Sequence, residues 1–343
     1  MTKHSSISRA EYRRRAPERR RQRGWIKCLA AMAGVLAISA VVNHQLAKSA
    51  ERRNPPRGRF IDVNGVRLHY VEQGEGPALV LVHGNGSMIE DFVSSGLVDL
   101  AAQQHRVIVF DRPGYGHSTR PRGKTWSADA QADLLQAALV RIGVPRAVVL
   151  GHSWGASVAL ALAIRHPQTV RGLVLASGYY YPTARIDMAA LSGPAIPVVG
   201  DIARYTLAPV ASRLLWPLLM RKIFGPAPVP PKFRDFPKEM AVRPSQIRAE
   251  AAESALLIPT AAETSAHYSS LQMPIVIIAG AQDRLIDPAA QSLRLHHDIA
   301  QSRSYLVPGC GHMVHQTDPE AVLAAIDDAF ALADLGEPAK PHI

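Results

Sequence analysis

The sequence predicts an α/β domain: a mostly parallel, twisted sheet flanked by helices, with a helical lid inserted before the last two strands. Three observations predict it. Short runs of continuous Val, Ile and Leu alternate with helix-forming stretches from residue 60 to about residue 335, the pattern of strands covered on both faces. Gly151-His152-Ser153-Trp154-Gly155 stands between the apolar run 147–150 and the helix-forming run 156–164, so strand, sharp turn and helix follow without a spacer. Between about residues 178 and 272 no strand-like alternation appears and 12 of the 26 prolines gather, which predicts a lid of kinked helical segments.

The front of the chain is of another kind. Segment 1–27 holds ten basic residues against Glu11 and Glu18, and residues 1–24 hold almost nothing that could build a core, so they read as a basic disordered cytoplasmic segment. Residues 25–42 form an apolar run interrupted only by Lys27. As a helix this run spans about 26 Å at ~1.5 Å per residue, enough for one crossing of a hydrocarbon core of ~30 Å. It reads as a transmembrane signal-anchor or as a signal peptide cut after Ala37-Ile38-Ser39, and in either case the basic front stays in the cytoplasm and the rest lies outside. The chain carries a net charge of +11, but after residue 53 there are 26 basic and 25 acidic residues, so the excess is topogenic and a nucleic-acid partner is not expected. Residues 43–59 read as a linker and 336–343 as a tail.

Within the domain, Phe60–Val63 and Val66–Glu72 form a hairpin about Asn64-Gly65. Strands follow at Ala78–Val82, Arg106–Phe110, Ala147–Leu150, Gly172–Ala176, Pro274–Ala279 and Ser302–Val307. Helices are predicted near Asp91–Gln103, Ala128–Ile142, Trp154–His166 and Ala289–Ile299, and Glu320–Leu335 closes the domain. In the lid, residues 214–220 are apolar on nearly every side. They read either as a helix buried on the core or as a surface that touches acyl substrate or membrane.

The chemistry is expected at the carboxyl ends of the strands, where open α/β sheets place their sites. The turn at Ser153 lifts a hydroxyl above the sheet. A serine nucleophile needs a base, an orienting carboxylate and donors for the oxyanion. The base is His312, which follows the last strand in Gly309-Cys310-Gly311-His312, with His315 as its rival. The carboxylate is Asp283, just after the strand 274–279, whereas Asp287 precedes Pro288 and reads as a helix cap. The oxyanion donors are the backbone amides of Trp154 and of Asn85 in His83-Gly84-Asn85-Gly86, where His83 braces the loop. Asp111 reads as structural and Cys310 as a packing residue. No His-Glu-x-x-His or paired Cys-x-x-Cys spacing is present, so no metal or cofactor is implied.

His-Gly-Asn-Gly (83–86), Asp-Arg-Pro-Gly-Tyr-Gly-His-Ser (111–118), Gly-His-Ser-Trp-Gly (151–155), Gly-x-x-Asp (280–283) and Gly-His-Met-Val-His (311–315), in that order, resemble the α/β-hydrolase superfamily over about residues 60–335. The likeness extends to its lidded branch of epoxide hydrolases, haloalkane dehalogenases, C–C-bond hydrolases and small esterases. Epoxide hydrolases and dehalogenases carry Asp at the nucleophile position, so Ser153 argues against both chemistries. The resemblance implies an α/β-hydrolase fold and a serine hydrolase forming an acyl-enzyme on Ser153, with Asp283 and His312 completing a triad. The expected reaction is hydrolysis of a carboxylic ester with an apolar acyl part. The alternatives are a C–C bond hydrolase, a transacylase or perhydrolase, and a non-enzymatic ligand receptor.

Overall fold

A computed structural model describes residues 9–185 and 191–335, with side chains from residue 24 onward. Residues 1–8 of the basic front, residues 186–190 of the lid and the tail 336–343 lie outside it. The first element is one continuous helix, α1 (Arg9–Arg53). This corrects two expectations. The front is helical from Arg9, and residues 43–53 are helix rather than linker. The reason for the second is tertiary. Asn43 is buried and its Nδ2 donates to the carbonyls of Tyr205 and Thr206 at 3.0 Å each, while Ala50 is fully buried against Met88, Met220 and Phe224. Docking on the lid keeps the backbone wound where composition suggested a spacer. The 30 residues Gly24–Arg53 include a window of mean hydropathy 2.0, long and apolar enough to cross a membrane.

The hairpin of β1 (Arg59–Val63) and β2 (Val66–Gln73) closes at Val63↔Val66, with Asn64 at φ 50° and Gly65 at φ 78°. Both residues of the turn are left-handed, which matches the right-handed twist of the strands they join. The remaining strands are β3 (Ala78–Val82), β4 (Arg106–Phe110), β5 (Ala147–His152), β6 (Val170–Ala176), β7 (Ile275–Gly280) and β8 (Ser302–Val307). They lie in the order β1-β2-β4-β3-β5-β6-β7-β8, antiparallel at β1/β2 and β2/β4 and parallel elsewhere. The parallel sheet thus agrees with the predicted fold class.

Alternate residues of each inner strand enter different cores. Val80, Val82, Ile108 and Val149 pack on one face with Leu135 and Leu139 of the Ser127-capped helix Ala128–Arg141 and with Leu160 of Trp154–Arg165. Leu79, Leu81, Val107 and Val148 pack on the other with Phe92 and with Ile326 of Pro319–Leu335. Both faces are dry, which is why these strands carry no polar alternation. The predicted helix at 91–103 is two pieces, Ile89–Ser95 and Leu97–Ala101, because Gly96 takes φ 81° between them.

The lid comprises the helices Val199–Tyr205, Leu207–Phe224, Lys238–Ala241 and Pro244–Ser265, with Pro217 and Pro259 inside the two longer ones. Of the apolar stretch 214–220, Met220 is buried while Leu214 and Leu218 are 75% and 66% exposed. The stretch is therefore a surface, not a core helix.

Candidate active site

The chain leaves β3 to form β4 on one side and β5 on the other, so the carboxyl edge of β3/β5 is the point where the strand order reverses. Ser153 stands there, one residue beyond β5, at φ 54° and ψ −118°. Its amide donates to the Ala176 carbonyl of β6 at 2.9 Å, which pins the strained turn to the sheet. The two flanking glycines allow the close approach. A Cβ on Gly155 would lie 2.1 Å from the Val82 carbonyl oxygen, and one on Gly151 would lie 2.3 Å from that of Gly155. The loop after β3 passes against the same turn, with the Cβ position of Gly84 3.1 Å from Ser153 Cβ.

Two neighbouring loops bring the acid and the imidazole together. Asp283 follows β7 and His312 follows β8, and His312 Nδ1 lies 2.7 Å from Asp283 Oδ2 with both side chains buried. Asp283 Oδ1 accepts the amides of Leu285 and Ile286 at 2.7 and 3.0 Å. Asp283 thus accepts from three donors, with Nδ1 of the imidazole as one of them, and Nε2 is left to accept a proton. The His312 ring stands 5.0 Å from that of His152, the residue preceding Ser153, and His152 Nε2 donates to the His312 carbonyl at 3.1 Å. His312 is thereby tied to the elbow. The rivals sit elsewhere. Asp287 caps the following turn through the Ala289 amide. Asp111 accepts from the His69 ring at 2.7 Å and from the amides of Ile89 and His117, which is a structural role. His315 is buried with its ring 4.3 Å from that of His152. Cys310 is buried, and burial pushes its thiol up.

The amides of Asn85 and Trp154 have no hydrogen-bond partner among the described residues. The Asn85 side chain anchors its loop instead, accepting from Tyr115 at 2.6 Å and donating to Ser254 of the lid at 3.1 Å. His83 accepts the Arg112 amide at Nε2 and donates from Nδ1 to the Gly84 carbonyl. Burial, reinforced by the Arg112 charge, lowers its pKa to about 3, so it braces the loop as a neutral ring.

The sequence reading missed the lid's part in this site. Arg112 donates to the carbonyls of His83 and Gly84 at 2.8 Å each and pairs with Glu253 of the lid helix Pro244–Ser265. Glu253 also accepts from Tyr115 and Gln131. One turn earlier, Glu250 faces Gly86; its burial and then the Glu253 charge raise its pKa to about 7. Arg112 belongs to the motif read at 111–118. Glu253 had no local signal, because an acid on a helix ordinarily reads as solvated.

Asp91, His152 and His315 are the one group of metal-ligating side chains among the described residues whose donor atoms lie within 4.8 Å of one another. His315 Nε2 is 3.1 Å from Asp91 Oδ1, an ion-pair distance without hydrogen-bond alignment. Asp91 is already engaged by Ser87 and Gln316 at 2.8 and 3.0 Å, and three donors fall one short of a closed tetrahedral site. The group meets His312 through the His152 ring, which lies 5.0 Å from it.

Residues 77–319 match the family described as the alpha/beta hydrolase fold. The chain is 28% identical over 290 residues to 2-hydroxymuconate semialdehyde hydrolase of Pseudomonas sp. strain CF600, covering 83% of this chain and 98% of the relative. It is 24% identical over 294 residues to haloalkane dehalogenase 2 of Mycobacterium bovis, covering 80% and 96%. Among solved structures it resembles a membrane phospholipase A described as a bacterial virulence factor, with a TM-score of 0.65, 21% identity, and coverage of 92% of this chain and 99% of that one. With the elbow serine, the reversal of strand order beside it and a match over most of the domain, the chain belongs to the α/β-hydrolase family.

Proposed function

We propose that the protein is a membrane-tethered serine hydrolase that cleaves a carboxylic ester with an apolar acyl part. The observation that carries this reading is the 2.7 Å contact between Asp283 and His312, buried on the same sheet edge as the strained elbow at Ser153. In the proposed reaction His312 Nε2 takes the proton of Ser153 Oγ as that oxygen bonds to the substrate carbonyl carbon. The oxyanion rests on the amides of Asn85 and Trp154. The C–O bond then breaks and His312 returns the proton to the leaving alcohol. Water, deprotonated by the same imidazole, attacks the acyl-enzyme and releases the acid. Asp283 keeps the imidazole in the required tautomer and balances its transient positive charge. No cofactor enters this scheme.

The apolar acyl preference is supported by the exposed apolar face of the lid. The tether is supported by α1, whose apolar side chains from Trp25 to Val42 are largely exposed while Ser39 and Asn43 bond to the lid. The excess of Lys and Arg before residue 28 orients the amino terminus toward the cytoplasm and the catalytic domain outside. A mature protein beginning near Ala40 would overturn the tether.

A second reading, C–C bond hydrolysis of a vinylogous diketone, is favoured by the 28% likeness to the semialdehyde hydrolase. A fluorophosphonate label followed by a panel of p-nitrophenyl esters of graded chain length separates the two. Labelling at Ser153 with ester turnover supports the first. Turnover of a ring-cleavage product without ester turnover supports the second. A folded protein that leaves Ser153 unlabelled overturns both.

A further inference from the structure

We infer that the open cavity between α1, the lid and the loop after β4 is a binding site for the phosphate headgroup of an anionic membrane lipid. This rests on the reading of α1 as a membrane span and is independent of the reaction. The cavity holds about 670 Å³. Its lining includes seven Lys and Arg side chains against one carboxylate, Glu51. They converge from four segments of the chain: Lys48 from α1, Arg120 and Arg122 from the loop, Arg204 from the helix Val199–Tyr205, and Arg248 from the helix Pro244–Ser265.

The acids nearby offset only part of this charge, and Arg120 lies 3.7 Å from the buried Glu253. Glu51 is taken by Arg243 at 2.8 Å. Arg204 has Asp201 beside it, yet it is only 3% exposed and its Nε is buried with no partner among the described residues. Among the described residues Lys48, Arg122 and Arg248 have no acid within ion-pair distance. Burial lowers the pKa of the Arg248 guanidinium, and the charges of Arg204, Arg122 and Arg120 lower it further. Asp201 and Glu253 answer Arg204 and Arg120, which leaves Arg122, Arg248 and Lys48 as the charges an anion would balance, and a phosphate matches the paired donors of a guanidinium.

Position selects the source of the phosphate. Asn43 of α1 bonds to the Tyr205 carbonyl, and Tyr205 lines the cavity. Lys48 lies five residues farther along α1, about 7.5 Å at the helical rise. The exposed apolar side chains of α1 run up to this level, with Val42 49% exposed. The lid beside it presents Val198, Val199, Ile202 and Leu207 to the outside. A basic cavity next to bare apolar surface on α1 and on the lid is the arrangement of a protein seated at a headgroup layer. The basic front is at the other end of the span, so the lipid belongs to the leaflet on the catalytic side.

The test uses the full-length chain with Ser153→Ala, so that lipid is not consumed, purified in dodecyl maltoside. Native mass spectrometry titrates phosphatidylglycerol, phosphatidylcholine and inorganic phosphate. We expect one phosphatidylglycerol to bind at least tenfold tighter than phosphatidylcholine. Arg248→Glu and Arg122→Glu should each weaken it by fivefold or more, from about 1 kcal/mol per interfacial charge, while Arg248→Lys, which keeps the charge but not the paired donors, weakens it less than Arg248→Glu. All variants keep the basic front, so the change reports the cavity. Arg122 is exposed, so its variant stands if Arg248→Glu fails to fold. Equal binding of the two lipids, wild-type phosphatidylglycerol binding by folded Arg122→Glu, or inorganic phosphate binding as tightly as the lipid would overturn the inference. Failure of the span reading shows separately, as full-length protein that stays soluble without detergent.

Discussion

Arg112 and Glu253 form a buried ion pair, 2.5 Å between Nη1 and Oε1 with both side chains almost wholly enclosed, and the same guanidinium holds the carbonyls of His83 and Gly84. The pair couples the lid helix Pro244–Ser265 to the loop that presents the Asn85 amide. Breaking it strands a charge in the interior. Glu253→Ala should therefore cost about 3–5 kcal/mol of stability, read from denaturant unfolding, whereas Glu253→Gln, which keeps the hydrogen bonds to Tyr115 and Gln131, should cost less. Equal stability of all three proteins would show that Arg112 finds another partner.

The two aspartates of the loop after β7 offer an internal control. Asp283 supports the imidazole while Asp287 caps a turn. Asp283→Asn should lower kcat by roughly 10⁴-fold with little change in KM, because the imidazole is left in the wrong tautomer. Asp287→Asn should keep activity within a few fold and lower stability by at most ~1 kcal/mol. The ratio of the two kcat values decides the assignment; parity between them removes Asp283 from the proposed triad.

Much of this was legible because local chemistry and global fold agree in the sheet. Val-, Ile- and Leu-rich runs placed β3 and β4 at their observed bounds, and the elbow followed from two glycines flanking Ser153. The order of Ser153, Asp283 and His312 along the chain was readable for the same reason, since each follows a strand. What was not legible depends on partners distant in sequence. The helix through residues 43–53 is held by Tyr205, Thr206 and Met220, and no window around residue 48 contains that information. Glu253 reads as a solvated acid until Arg112 is placed on it.

The elbow itself gives a stability prediction. Gly155→Ala would drive a Cβ to within 2.1 Å of the Val82 carbonyl oxygen, where both groups belong to packed backbone and neither can turn away. The strain should cost about 3 kcal/mol. Thermal unfolding measures it, and an unchanged Tm would mean that strand and helix separate more freely than the packing indicates.

Glu250 makes stability depend on pH. Its folded pKa, about 7, stands above the ordinary carboxylate value because burial and then the Glu253 charge oppose ionisation. The folded state holds this proton more tightly than the unfolded chain. The contribution is therefore full below about pH 4.5 and is lost as pH rises through about 7. Glu250→Gln should gain stability relative to the parent above pH 7 and show a flatter profile between pH 5 and 7, by denaturant unfolding. Parallel profiles for the two proteins would place the titration elsewhere.

The junction of α1 with the lid is the remaining point of control. Asn43 spends both ends of its amide there, donating to the Tyr205 and Thr206 carbonyls and accepting from Arg213 at 2.8 Å. Asn43→Ala leaves two carbonyls and a guanidinium without these partners, at ~1–3 kcal/mol for each buried group left unsatisfied. These groups lie in the lid and not in either core of the sheet, so the loss should stay local. Hydrogen exchange of the full-length protein in detergent should show faster exchange over residues 199–224 and unchanged protection in β5 and β7. Loss of protection spread evenly over the sheet would mean that α1 supports the whole domain, and no change at all would mean that the helix does not hold the lid.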